Sequence, residues 1–163
     1  MRYYVDTEFN GSGGQLISIG IVRQDGAQFY QELVMHQLPQ PWIKENVLPL
    51  LTRKPVARAV CTGNLQRFLT LDQPVSHTFV VDWPEDLVHL GNLMVTDYLK
   101  RCGPRCWRAV LLHLPGFHAA DHSKRPHHAL DDAEALRAYV EQGLVEGRDG
   151  PLAEHDLQLL RGT

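Results

Sequence analysis

The chain has 163 residues, 44% hydrophobic and 21% charged, which suits a globular protein with a sizeable core and argues against disorder. Its formal net charge of −3 argues against a protein that coats nucleic acid through a broad basic face, because that mode of binding depends on neutralising many phosphates. Gly and Pro are scattered between apolar runs without a linker, repeat or low-complexity tract, so residues 1–163 read as a single domain.

The first residues enter a strand pattern at once, and no run reaches the roughly 18 apolar residues of a membrane span. The expectation is a soluble cytoplasmic protein with no membrane partner. Cys61, Cys102 and Cys106 are an odd number and read as reduced structural thiols.

Arg2 to Phe9 and Leu16 to Val22 are rich in β-branched and aromatic residues and flank a GSGG turn, the signature of a hairpin. The Asp25-Gly26 turn then predicts a third antiparallel strand from Gln28 to Val34. Apolar spacing predicts helices over Trp42 to Leu51 and Val60 to Thr70. Ser76 to Val81 reads as a short strand. Pro84, Glu85 and Asp86 behind it mark the first turn of a helix running to about Leu99. Arg108 to Leu114 is a further strand, followed by a polar, histidine-rich loop, a helix from about His128 to Gly143, and a short helix from Leu152 to Leu160. A three-strand meander followed by strands alternating with helices implies an α/β fold with a mixed sheet and helices on its faces.

Asp6 and Glu8 lie two apart on the first strand, so both carboxylates leave the same face and can share a metal site. Burying such a pair is costly unless cations or protons compensate. If the strand instead ends at Val5, both are solvated loop residues. His127 and Asp132 bracket the start of the late helix. Asp82 and Asp86 stand at the corner after the central strand, and either is a candidate ligand.

Taken in order, D-x-E on a strand, an Asp at a strand-to-helix corner and H-x4-D on a late helix resemble the DEDDh 3′→5′ exonucleases of the ribonuclease H-like superfamily. The match is closest to the small RNase T-like exoribonucleases of bacteria and phages. It is carried by VDTEF (Val5 to Phe9), LISIGIV (Leu16 to Val22), WIKENVLPLL (Trp42 to Leu51) and HHALDDA (His127 to Ala133), and it spans nearly the whole chain. The resemblance implies a ribonuclease H-like sheet of three antiparallel strands followed by parallel ones. It also implies metal-binding carboxylates at Asp6, Glu8, Asp86 and Asp132, with His127 as general base. The H-x-A-L-x-D spacing selects His127 and Asp132 over His128 and Asp131. The family usually places Asn four residues before its third acid, where this chain has Asp82.

Hydrolysis of a phosphodiester needs an activated water, stabilisation of charge at phosphorus and help for the leaving oxygen, all of which two divalent ions can provide. An all-oxygen ligand set favours two Mg²⁺ or Mn²⁺ ions, which would take the charge balance to about +1. A histidine with an unperturbed pKa of about 6.5 can accept the proton of the attacking water near neutral pH. By the resemblance the substrate is the 3′ end of single-stranded RNA, with DNA 3′ ends as the alternative, and relatives often form homodimers. Thr7, Phe9, Trp83 and Arg125 are candidate substrate contacts, and Phe117 is a further aromatic candidate. Arg101, Arg105, Arg108, Lys124 and Arg125 could meet phosphates. A competing pattern, Cys102-x3-Cys106-x11-His118-x3-His122, approximates a zinc-finger spacing, but an apolar strand and Pro115-Gly116 interrupt it.

Overall fold

Tyr, Val, Thr and Phe crowd the segment Arg2–Phe9, which forms β1, the central strand of a five-stranded sheet ordered β3-β2-β1-β4-β5. The computed structural model describes residues 1–71, 76–96, 100–147 and 152–161. β2 (Leu16–Arg23) and β3 (Gln28–Glu32) extend the sheet antiparallel on one side. On the other side β4 (His77–Val81) and β5 (Trp107–Leu111) run parallel to β1. The mixed α/β sheet is therefore as expected.

Successive side chains of a strand leave opposite faces, and β1 uses both. Tyr3 and Val5 pack with Cys61, Leu65, Leu90 and Leu93 from α2 (Arg58–Thr70) and α3 (Pro84–Leu93). Tyr4 packs with Leu136, Val140, Leu157 and Leu160 on the other face. These last come from α5 (Ala129–Glu146) and α6 (Glu154–Arg161), so helices cover both faces. The sheet and α5 approach closely at Gly20 of β2, where a β-carbon would overlap the backbone of Ala129 and Leu130. Gly20 pairs with Asp6 across the β1–β2 ladder, so the missing side chain lets the start of α5 settle on the sheet next to the strand that carries that carboxylate.

Several boundaries differ from the sequence expectation. The predicted helix from Trp42 to Leu51 is α1 (Pro41–Asn46) followed by a 3₁₀ turn at Leu48–Leu50. Pro49 has no amide to donate and cannot continue the α-helical ladder. α3 stops at Leu93 rather than near Leu99, and residues 97–99 lie outside the described residues. The guanidinium of Arg58 takes the carbonyls of Asn92 and Val95 there, a long-range cap that the local sequence does not encode. β3 ends at Glu32, because Leu33 turns to bridge Val56. β5 is Trp107–Leu111 and so begins and ends earlier than predicted, and the loop after it contains a short helix, α4 (Ala119–His122). No helix among the described residues is long and apolar enough to cross a membrane.

Candidate metal and active site

β1 and β4 run in the same direction with Tyr4 opposite Val80. Continuing that register brings Asp82, just past β4, alongside Asp6. Ligand sites of open α/β sheets gather beyond the carboxyl ends of parallel strands, and this is such a place. The β1–β2 register slips between Glu8 and Phe9, where Ile17 is an extra residue on β2. The chain from β4 turns into α3, whose first-turn residue Asp86 is 1% exposed. Both the amide (3.0 Å) and hydroxyl (2.6 Å) of Thr7 donate to Asp86 Oδ1. From the opposite side α5 supplies Asp132, whose Oδ2 accepts the His127 amide at 3.1 Å.

The result is an open cleft of about 560 Å³ lined by Asp6, Glu8, Asp82, Asp86, His127 and Asp132, with Phe9, Ser12, Trp42, Trp83, Glu85 and His118 around them. Two groups of ligand atoms form within it, Glu8 with His127 and Asp132, and Asp6 with Asp82 and Asp86. In each group all ligand atoms lie within 4.8 Å of one another. All five residues expected from the sequence are therefore brought together, and Asp82 joins Asp86 instead of competing with it.

No lysine or arginine lines the cleft among the described residues. Burial and mutual repulsion accordingly disfavour the charged carboxylates. Burial first, then the charges of Asp86 and Glu8, hold Asp6 well above the usual aspartate range. Glu8 is pushed up to about 8 by burial and then by Asp132 and Asp86. Asp86 is raised to about 7 by burial, against the opposing Thr7 hydrogen bonds, and Asp132 to about 6, also by burial. One oxygen each of Asp6, Asp86 and Asp132 is enclosed without a hydrogen-bond donor. Enclosed, unpartnered carboxylate oxygens from β1, α3 and α5 fit a hard divalent cation, which would supply the missing positive charge.

The candidate substrate contacts separate in space. Phe9 packs at a tilt on His89 with centroids 5.0 Å apart, and Trp83, 57% exposed, donates its indole N–H to Glu85 at 3.3 Å. Both line the cleft. Thr7 is turned to Asp86. Arg125 pairs with Asp131 at 2.6 Å and is not in the lining. Phe117 is buried against Tyr139 at 4.2 Å, in the core rather than at the cleft, because the chain after β5 folds back over α5. Arg101 lines a separate hollow beside α2, and Arg108 reaches Thr78 from the outer strand, so the five basic residues do not form one patch at the carboxylates. Cys102, Cys106, His118 and His122 do not assemble among the described residues: the two metal-grade groups contain no cysteine, and His122 stacks on Phe117.

Sequence reasoning missed Trp42. It is 49% exposed and meets the His127 ring edge-on at 4.8 Å. In the sequence it counts only within the apolar spacing of the helix predicted over Trp42 to Leu51, which gives no sign that the ring turns to the cleft.

The chain matches no protein-family model and no curated protein sequence. The geometry of the cleft therefore carries the functional reading.

Proposed function

We propose that the protein is a metal-dependent 3′→5′ exonuclease that releases nucleoside monophosphates from the 3′ end of single-stranded RNA. The observation that carries this reading is the pair of adjoining ligand groups, Asp6/Asp82/Asp86 and Glu8/His127/Asp132, built from separate elements in one open cleft. Three antiparallel strands followed by two parallel ones also match the plan expected of a ribonuclease H-like fold, which supports the resemblance of the motifs.

Asp6, Glu8, Asp86 and Asp132 would hold two Mg²⁺ or Mn²⁺ ions, with Asp82 in reach as an additional ligand. When bound, divalent cations at these carboxylates supply Lewis acidity and neutralise charge on the phosphate and leaving oxygen. The protein's own groups do the rest. Thr7 fixes the rotamer of Asp86 through two hydrogen bonds. His127, half-buried at the cleft, accepts the proton of the attacking water. Phe9, Trp83 and Trp42 offer aromatic faces for the terminal bases, a contact worth roughly 1–3 kcal/mol per base. An acid-lined cleft repels phosphate until cations fill it, which explains how a chain of net charge −3 can act on a polyanion.

The test is incubation with 5′-labelled single-stranded RNA and the matching DNA, in Mg²⁺, Mn²⁺ or EDTA, beside Asp6→Ala. The expected outcome is a ladder shortening from the 3′ end, faster on RNA, absent in EDTA and in the variant. Faster shortening of DNA would move the reading to a DNA exonuclease, and no shortening of either strand in any metal would overturn it.

A further inference from the structure

His127 is the single non-glycine residue with a left-handed backbone among the described residues, at φ 65°. A histidine in that region is strained, so its surroundings must hold it there. The hydrogen bond from its amide to Asp132 is one restraint. The others come from its neighbour. His128, 3% exposed, accepts the amides of Asp131 (2.8 Å) and Asp132 (3.0 Å) at its carbonyl and donates its own amide to Arg125 at 3.1 Å. The turn carrying His127 is therefore closed on both sides by the backbone of His128.

The ring of His128 is held as firmly. It packs on Tyr30 of β3, with centroids 4.6 Å apart. Beside it the guanidinium of Arg125 comes within 3.4 Å of Nδ1 while forming a two-pronged pair with Asp131 at 2.6 and 3.3 Å. Tyr30 is clamped in turn. Its hydroxyl donates to Glu32 Oε1 at 3.1 Å, and the Arg53 guanidinium lies 4.9 Å from its ring centroid. Glu32 is 2% exposed, and the same oxygen accepts the amides of Thr52 (2.8 Å) and Arg53 (3.0 Å). An apolar side chain at this position would avoid burying a carboxylate, which makes a purely stabilising role for Glu32 an expensive solution.

We infer that Glu32, Tyr30 and His128 are positioning residues for His127, a chain of packed rings and hydrogen bonds that transmits the rigidity of β3 to the turn presenting the proton acceptor. The inference rests on the proposed role of His127. Misplacing a reacting group by about 1 Å costs on the order of a hundredfold in rate, so the device acts on kcat and leaves substrate binding alone.

The experiment compares His128→Ala, His128→Phe and Tyr30→Ala with the wild type, reading kcat and KM on single-stranded RNA and hydrogen exchange at the His127 amide. His128→Ala and Tyr30→Ala are expected to lower kcat by about tenfold to a hundredfold, hold KM within about twofold, and speed exchange of the His127 amide. His128→Phe keeps a ring on Tyr30 and is expected to recover most of both. Added free imidazole should restore part of the activity of His128→Ala, as an external base standing in for a misplaced one. Unchanged His127 exchange in His128→Ala, or a His128→Phe variant no better than His128→Ala, overturns the inference. An inactive wild type overturns the exonuclease reading instead, and the exchange measurement still decides whether His128 holds the turn.

Discussion

Asp86 is enclosed, accepts two hydrogen bonds at Oδ1 and has none at Oδ2. Asp86→Asn keeps the acceptor for Thr7 and removes a negative charge from the cluster. In metal-free protein near pH 8 it is expected to melt higher than the wild type, and with metal added to lose the proposed exonuclease activity; an unchanged or lower melting temperature would count against uncompensated repulsion at the site. The same cluster sets a pH dependence. Glu8, Asp86 and Asp132 have folded values near 8, 7 and 6 against ordinary values of 4.5, 3.8 and 3.8, so the folded state holds protons that the unfolded chain has released. Their contribution to stability is complete below about pH 4 and is lost as the pH rises through about 6 to 8. Metal-free protein should therefore melt lower at pH 8.5 than at pH 5. Mg²⁺ or Mn²⁺ at about a hundred times its Kd should raise the melting temperature at pH 8.5 by roughly 5–10 °C. A differential scanning series with and without EDTA checks both. At this scale Asp6 and Glu8 could be read from the sequence because the two-residue period of a strand puts them on one face. The partnership of Asp82 with Asp86 could not, since it depends on how β4 registers against β1.

Among the elements, α5 brings Asp132 and the His127 turn to β1, and it can do so because Gly20 leaves room for Ala129 and Leu130. Gly20→Ala cannot be absorbed by a side-chain movement, since what it meets is backbone. Overpacking of this kind costs about 1–3 kcal/mol. The expected result is a stability loss of that size, with kcat reduced because α5 and its carboxylate are displaced. A variant of full activity would show that α5 can shift without moving the site. The strands and most helices were legible because their periodicity is local and strong, as in Leu16–Arg23 and Ala129–Glu146. The end of α3 was not, because Arg58 from another helix terminates it. The break after α1 had a local cause in Pro49, which an apolar spacing running from Trp42 to Leu51 concealed.

For the whole molecule, the ordering β3-β2-β1-β4-β5 gathers three distant stretches of sequence at one end of the sheet: the end of β1, the corner after β4 and the start of α5. Motif order hinted at this assembly, and the apolar strands and amphipathic helices supplied the α/β plan. The openness of the cleft, the exposure of Trp42 and the absence of any lysine or arginine from its lining among the described residues emerge only once the chain is folded. That acid-lined cleft is where metal must bind if the chain is to act on a polyanion. The most direct test is titration of metal-free protein with Mn²⁺ near pH 8, followed by calorimetry and electron paramagnetic resonance. The expectation is two Mn²⁺ per chain with a magnetically coupled spectrum, with loss of at least one in Asp86→Asn. No binding at millimolar Mn²⁺, or a single site unaffected by that substitution, would contradict it.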